Sequence, residues 1–315
     1  MSCAPDARAL LALLRRLDDA GYDFVTPTPE THARVLRRPA RPGDDPLRRL
    51  LGWTLPVVPA DLPPGLADLL AAAGALERRG DAVRSRLRVS RLKGLLFLHS
   101  AYPTTEPDAV FLGPDSYRFA DFIERELAAD FAGRLVDLGG GCGVGALVAA
   151  RRAPAAQVTL RDINPRALRL ARINAAHAGI AIEPVEADGL AGAPPELDLV
   201  IANPPYMANA TQTYSDGGAL HGAAVSLAWA EAALQRLNPG GRLLLYTGSA
   251  IALGGADPLK AALAAICEAR GARLAYRELD PDVFGEELDT DAYADVERIA
   301  AVGAVLTAAG LGGAA

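Results

Sequence analysis

The sequence predicts an α/β protein: a mostly parallel sheet with helices on both faces, preceded by a smaller, largely helical domain. Three observations carry that expectation. From Tyr117 onward, short apolar runs alternate with helix-length segments, the pattern of strands joined by crossover helices. One of these runs, residues 134–138, opens directly into a cluster of glycines, as a strand does when the chain turns tightly beside a ligand. The chain has 315 residues, more than one ordinary domain needs.

Taken in order, residues 6–20 read as an amphipathic helix with Leu10, Leu13, Leu14 and Leu17 on one face. A Pro- and Arg-rich passage follows, then short helices at 47–53 and 66–75. Gly74 and Gly80-Asp81 bracket a turn ahead of an alternating stretch, residues 83–89. Helices followed by a short hairpin resemble a winged-helix module, and a plain helical cap is the alternative. We therefore expect a helical or winged-helix-like recognition domain over 1–110 and a catalytic domain over 111–315. In the latter, strands are expected at 134–138, 158–161, 180–186, 197–202, 242–247, 273–278 and 296–305. Helices are expected at 116–129, 143–152, 165–178, 218–237 and 258–270, with Pro165 in a first helical turn, where its missing N–H costs nothing.

Composition narrows the function. Half the residues are hydrophobic and 22% are charged, enough to bury a core. No apolar run approaches the ~20 residues that span a bilayer, and the start carries Asp6, Arg8, Arg15 and Arg16 without a signal-type cleavage site; the chain reads as soluble and cytoplasmic. Cys3, Cys142 and Cys267 are far apart and form no C-x-x-C pair, and His32, His99, His177 and His221 have no metal-ligand spacing, so neither disulfides nor a metal site is expected. The net charge of −6 divides unevenly: residues 1–110 hold 16 Lys/Arg against 13 Asp/Glu, and the remainder 16 against 25. That basic bias is too weak to establish nucleic-acid binding. The arginines at 84, 86, 88 and 91 are nonetheless the groups in that region that could reach phosphates.

The sharpest stretch runs from Arg134 to Ala146, a short strand, a glycine cluster and a helix start. Asp162 closes the next strand, where a carboxylate can accept both hydroxyls of a ribose, with Ile163 beside it; Asp188 and Gly189 follow the third strand, level with a base. Gly141-x-Gly143-x-x-Ala146 also satisfies a relaxed dinucleotide fingerprint. Asp137 argues against that ligand, because an acid ahead of the glycines repels a pyrophosphate and suits the cationic amino group of a methionine moiety. Gly140 and Gly145 could serve only close packing, and Asp188 could simply cap a loop.

After the fourth strand comes Asn203-Pro204-Pro205-Tyr206. Two prolines hold this backbone extended, so the Asn203 side-chain oxygen and the Pro204 carbonyl can grip one substrate NH₂ group while Tyr206 stacks on its plane. An amide or exocyclic amine is a poor nucleophile, and orienting it is the help it needs.

The Asp-x-Gly-x-Gly-x-Gly of Asp137, Gly139, Gly141 and Gly143 resembles the first motif of class I S-adenosylmethionine methyltransferases. Together with Asp162-Ile-Asn-Pro-x-Ala-Leu-x-Leu-Ala-x-x-Asn174 and Asn203-Pro-Pro-Tyr206 it is similar to the protein glutamine N5-methyltransferases that act on release factors. The resemblance covers roughly residues 111–247, and Gly113-Pro-Asp115-Ser116-Tyr117 resembles the segment that closes over the cofactor in that family. It implies a Rossmann-like, seven-stranded sheet with its last strand antiparallel, S-adenosylmethionine as cofactor, and a protein or small amide-bearing acceptor. Asn-Pro-Pro-Tyr also occurs in adenine N6, cytosine N4 and guanine N2 methyltransferases, so a nucleic-acid base is the alternative acceptor. A winged-helix regulator that senses S-adenosylmethionine is the non-enzymatic one. Residues 1–110 and the loop 280–295, outside the shared motifs, are where substrate choice is expected to reside.

Overall fold

The computed structural model describes residues 7–39, 43–104, 106–208 and 217–310; Cys3 lies outside them. The chain divides into two compact units. One comprises 1–117, 141–144 and 166–181, and the other 118–140, 145–165 and 182–315.

In the first unit, α1 (Ala7–Asp19) buries the expected Leu10, Leu13, Leu14 and Leu17. Helix α2 (Pro29–Leu36), where the sequence predicts no element, starts where the Thr28 hydroxyl accepts from the Thr31 N–H and Pro29 occupies the first turn. The short helix expected over 47–53 is a single π turn, Arg48–Gly52, and Gly52 is required there because a Cβ would lie 2.4 Å from the Phe24 ring. After α3 (Leu66–Ala72), the alternating stretch breaks into two hairpins. Strands β1 (Leu76–Arg79) and β2 (Ala82–Ser85) turn at Gly80, and β3 (Leu87–Leu92) and β4 (Leu95–Ser100) turn at Lys93-Gly94. Both turn residues are left-handed (φ 49° and 77°), as a two-residue hairpin requires.

Of the four arginines that could reach phosphates, three are engaged within the fold. Arg88 is buried and donates to His32 Nδ1 at 2.8 Å, Arg84 donates to the carbonyls of Thr54 and Tyr102, and Arg91 donates to Tyr22 O, Gly94 O and Asp18. Arg84 and Arg91 satisfy backbone carbonyls within the fold and Arg88 a histidine nitrogen, and of the four only Arg86 stands exposed.

Helix α6 (Pro165–Ala178) contributes Asn174, fully buried. Its Oδ1 accepts from Leu98 N at 2.9 Å, and its Nδ2 donates to Leu98 O and Cys142 O. One carboxamide thus satisfies three backbone groups of β4 and the glycine loop. Asn174→Ala should lower the unfolding free energy by about 2 kcal/mol, because it leaves buried peptide groups without partners. Urea denaturation of the two proteins measures this, and a change within about 0.5 kcal/mol, the range of neutral surface substitutions, would contradict it.

The second unit is built on seven strands in the order β10-β11-β9-β8-β5-β6-β7: β5 (Arg134–Leu138), β6 (Gln157–Asp162), β7 (Glu183–Glu186), β8 (Leu197–Ala202), β9 (Leu237–Ala252), β10 (Arg273–Asp280) and β11 (Val296–Thr307). The five strands from β9 to β7 run parallel, and β11 is antiparallel to both its neighbours. Alternate residues of β5, β8, β9 and β11, such as Val136, Val200, Leu243 and Val302, form one apolar layer with α7 (Ala224–Leu234) and α8 (Pro258–Ala269). On the opposite face, α4 (Pro114–Glu126) sets Phe119 near Tyr246 and Phe122 over Gly303, where a Cβ would come within 2.8 Å of the ring. Helix α5 is Val144–Arg152.

Three boundaries differ from expectation for identifiable reasons. Strand β7 begins at Glu183 and not at Ile180, whose N–H is drawn back to Ala175 O around left-handed Gly179 to close α6. Strand β9 is longer than 242–247 because β11 pairs with it out to Ala252. The helix expected from residue 218 starts only at Ala224, since Gly218, Leu220, His221 and Gly222 are all left-handed.

Candidate active site

The order of strands reverses at β5: the chain proceeds outward through β6 and β7, then returns to place β8 on the other side of β5. Open α/β sheets hold ligands beyond the carboxyl ends of the strands at such a reversal. Leu138, the last residue of β5, pairs with Arg161 on one side and Ala202 on the other. Gly139, Asp162 and Asn203 therefore leave the sheet side by side.

Arg161 organises this edge, a role the sequence reading missed. Its carbonyl accepts from both Gly139 N (2.8 Å) and Gly140 N (3.2 Å), while its buried guanidinium donates to Gly189 O at 3.1 Å and to Ala191 O. The same residue thus ties the glycine turn to the loop after β7. Gly139 is left-handed (φ 67°), and a Cβ on it would meet Trp229 of α7 at 2.6 Å; Trp229 is also the nearest side chain to Gly189. Gly141 and Gly143 are left-handed as well, and nothing lies within 4 Å of where a Gly141 Cβ would stand. Backbone there is open to a ligand.

Asp137 is 1% exposed. Its Oδ2 accepts from Ala146 N in the first turn of α5 at 2.7 Å, and its Oδ1 is buried with no hydrogen-bond donor among the described residues. Burial pushes its carboxyl up to about 7, against the Ala146 hydrogen bond and with help from the Asp162 charge. Gly140 and Gly145 leave room for it: a Cβ on either would come within 2.8 Å of a carboxylate oxygen. Their packing role is therefore real, and it serves the acid. Asp162 is partly exposed, and its Oδ1 accepts from Asn164 N at 2.8 Å. Ile163 is 67% exposed, a large apolar side chain open at the end of β6. Asp188 is exposed, and its carbonyl accepts from Ala191 N. Cys142 is buried, its sulfur 4.0 Å from Phe111 O.

On the β8 side, the Asn203 Oδ1 is buried and accepts from no described residue. Pro204 is buried and Pro205 partly so. The Tyr206 ring is buried too; it lies where a Cβ on Gly248 of β9 would come within 2.4 Å, and meets Phe284 edge-on with centroids 6.0 Å apart. Gly217 and Gly222 abut the Tyr206 backbone so closely that neither could carry a side chain. Ala208 N donates to the Tyr293 hydroxyl at 2.9 Å. Phe284 and Tyr293, from the loop 280–295, were not foreseen as neighbours of this motif.

Residues 118–265 match the Methyltransferase small domain family. The release factor glutamine methyltransferase of Cereibacter sphaeroides is 33% identical over 259 residues, covering 76% of this chain and 87% of that protein. The chain belongs to the class I S-adenosylmethionine-dependent methyltransferases.

This methyltransferase is also 35% identical over 124 residues to ribosomal RNA small subunit methyltransferase C of Pseudomonas aeruginosa, covering 39% of the chain and 35% of that relative. Among solved structures it is similar to Trm5b from Pyrococcus abyssi, with a TM-score of 0.51 and 14% identity over 74% of this chain and 62% of that one, a likeness of fold alone. Its cofactor is S-adenosylmethionine. The residues present fit that group: a buried carboxylate oxygen without a donor suits a cation, and left-handed Gly141, with nothing within 4 Å of where its Cβ would stand, leaves its backbone open to close approach. No helix among the described residues is long and apolar enough to cross a membrane.

Proposed function

We propose that this methyltransferase acts on a planar amide nitrogen, of the protein glutamine N5 type. The single observation behind this reading is the Asn203 carboxamide oxygen, buried and without a donor at the end of β8, beside the turn that follows β5. A buried acceptor left unmade costs about 1–3 kcal/mol, and a substrate N–H is the partner that relieves it.

When bound, S-adenosylmethionine supplies a methyl group on a sulfonium that departs as a neutral thioether. Asp137, Gly139, Gly141 and Gly143 would hold its methionine portion, Asp162 the ribose hydroxyls, and Ile163, Asp188 and Gly189 the base. Asn203 Oδ1 and the Pro204 carbonyl hold the two acceptor hydrogens, so the nitrogen lone pair faces the transferable methyl, and Pro205 stiffens the backbone that carries them. The acceptor nitrogen would gain the methyl group that the sulfonium gives up, and one of its protons would then leave to water. Tyr206 closes one wall. Residues 1–110 would select the acceptor, as a helical or winged-helix-like module. We place the chain and its acceptor in the cytoplasm.

The likeness to a ribosomal RNA methyltransferase favours a nucleic-acid base as the second reading. Against it, three of the four arginines that might have gripped phosphates are engaged within the fold. Incubating the protein with labelled S-adenosylmethionine and cell extract separates the two. Label in protein supports the amide reading; label in RNA or DNA alone overturns it.

A further inference from the structure

The loop between β10 and β11, residues 280–295, contains seven Asp and Glu and not one Lys or Arg. Two of these acids are engaged: Asp280 with Arg118 at 2.7 Å and Asp295 with His221 at 2.9 Å. The other five, Asp282, Glu286, Glu287, Asp289 and Asp291, have no ion-pair partner among the described residues. Elsewhere in the same unit, Glu126 pairs with Arg277 and Glu278 with Arg298. Glu287 is held above the ordinary glutamate range by its burial and then by the neighbouring Glu286 charge. Glu286 and Glu287 therefore repel one another, with no cation paired to either among the described residues.

Three contacts pin this loop beside the acceptor motif. Phe284, left-handed at φ 55°, meets the Tyr206 ring; the Tyr293 hydroxyl accepts from Ala208 N; and Asp295 accepts from His221, in the segment that abuts the Tyr206 backbone. An independent observation marks where the acceptor comes: Asn203, three residues before Tyr206, has its carboxamide oxygen buried without a donor. The loop that carries these five acids thus borders the motif where that N–H arrives.

We infer that loop 280–295 is the acceptor-selecting wall of this methyltransferase, and that it recognises a polypeptide whose methylated amide is flanked by Lys or Arg. A nucleic acid would bring phosphates against this wall and be repelled, whereas a cationic segment relieves the repulsion already present. The inference rests on the amide reading above and adds to it the charge of the partner.

The test uses the full chain, labelled S-adenosylmethionine, and short synthetic peptides with a central Gln flanked by Lys, by Ser or by Glu. The expected order of kcat/KM is Lys over Ser over Glu, carried by KM and shrinking as salt rises. In the fourfold variant D282N/E286Q/E287Q/D289N the Lys-flanked peptide should lose about tenfold through KM, the sum of several weak exposed pairs, while the Ser-flanked peptide is unchanged. Calorimetric binding of S-adenosylmethionine to the variant checks that it is folded. Peptides methylated without charge preference, or a preference that survives in the variant, overturn this inference and leave the amide reading standing. No label in any peptide alongside label in RNA overturns both.

Discussion

Replacing Asn203 with alanine should lower kcat by ~10²-fold or more while leaving the affinity for S-adenosylmethionine nearly unchanged. The carboxamide is asked to orient a weak nucleophile, and a positioning contact of this kind is worth about 2.7 kcal/mol, the free-energy equivalent of a hundredfold in rate. Its oxygen is buried and idle in the unliganded protein, so removing it costs the fold little. That separates a catalytic effect from a structural one: the melting temperature should stay close to the parent's while turnover collapses. Calorimetry with S-adenosylmethionine, single-turnover kinetics and a thermal melt on the same preparation make the comparison. A variant that turns over normally would remove Asn203 from the reaction, and one that no longer binds the cofactor would show that the residue holds it.

Asp137→Asn should stabilise the unliganded protein at alkaline pH and abolish a pH dependence in cofactor binding. The carboxyl sits at about 7 against an ordinary 3.8, chiefly because it is buried. A group whose folded value is raised holds its proton more tightly in the folded state. Its contribution is fully present below the unfolded value and is lost as pH rises through 7. Above that point the parent carries a buried charge with one oxygen unserved, at a cost of up to about 4 kcal/mol by the usual conversion of such shifts. Asparagine keeps an acceptor for Ala146 N and never ionises. Its advantage in urea midpoint should therefore be near zero below about pH 4, grow from there to about pH 7 and level off above it. A cationic cofactor favours the ionised acid, so in the parent binding should tighten across the same window with proton release, and in the variant it should not. Equal pH profiles for the two proteins would show that Asp137 does not titrate there.

The centre of the parallel sheet was legible because β5 and β8 are largely apolar on both faces and end in punctuation that physics requires. Strands β5 and β8 and helix α6 were anticipated residue for residue, bounded by Gly139, by Asn203-Pro204 and by Pro165. The hairpin of β3 and β4 was not. Both its faces are largely buried, yet it carries Arg88, Ser90 and His99, which imitate a surface pattern. Ser90 Oγ lies 2.9 Å from His99 Nε2 and 2.6 Å from Thr26 Oγ1, and such a satisfied buried network has no signature in local alternation. The site divides in the same manner. Asp137, the glycines and Asn203 stand in short contiguous motifs, whereas Arg161, Trp229 and Phe284 matter only through residues distant in sequence. The one signal for Arg161 was a cation in a strand that should otherwise be apolar.

The sheet ends in two strands of quite different make. At one margin β7 has only four residues, and its second is Pro184, which has no N–H to offer a newcomer. At the other, β10 turns Arg273 and Glu278 outward along its length, charges that an added strand would have to desolvate. Each margin therefore discourages the addition of a further strand from a second molecule.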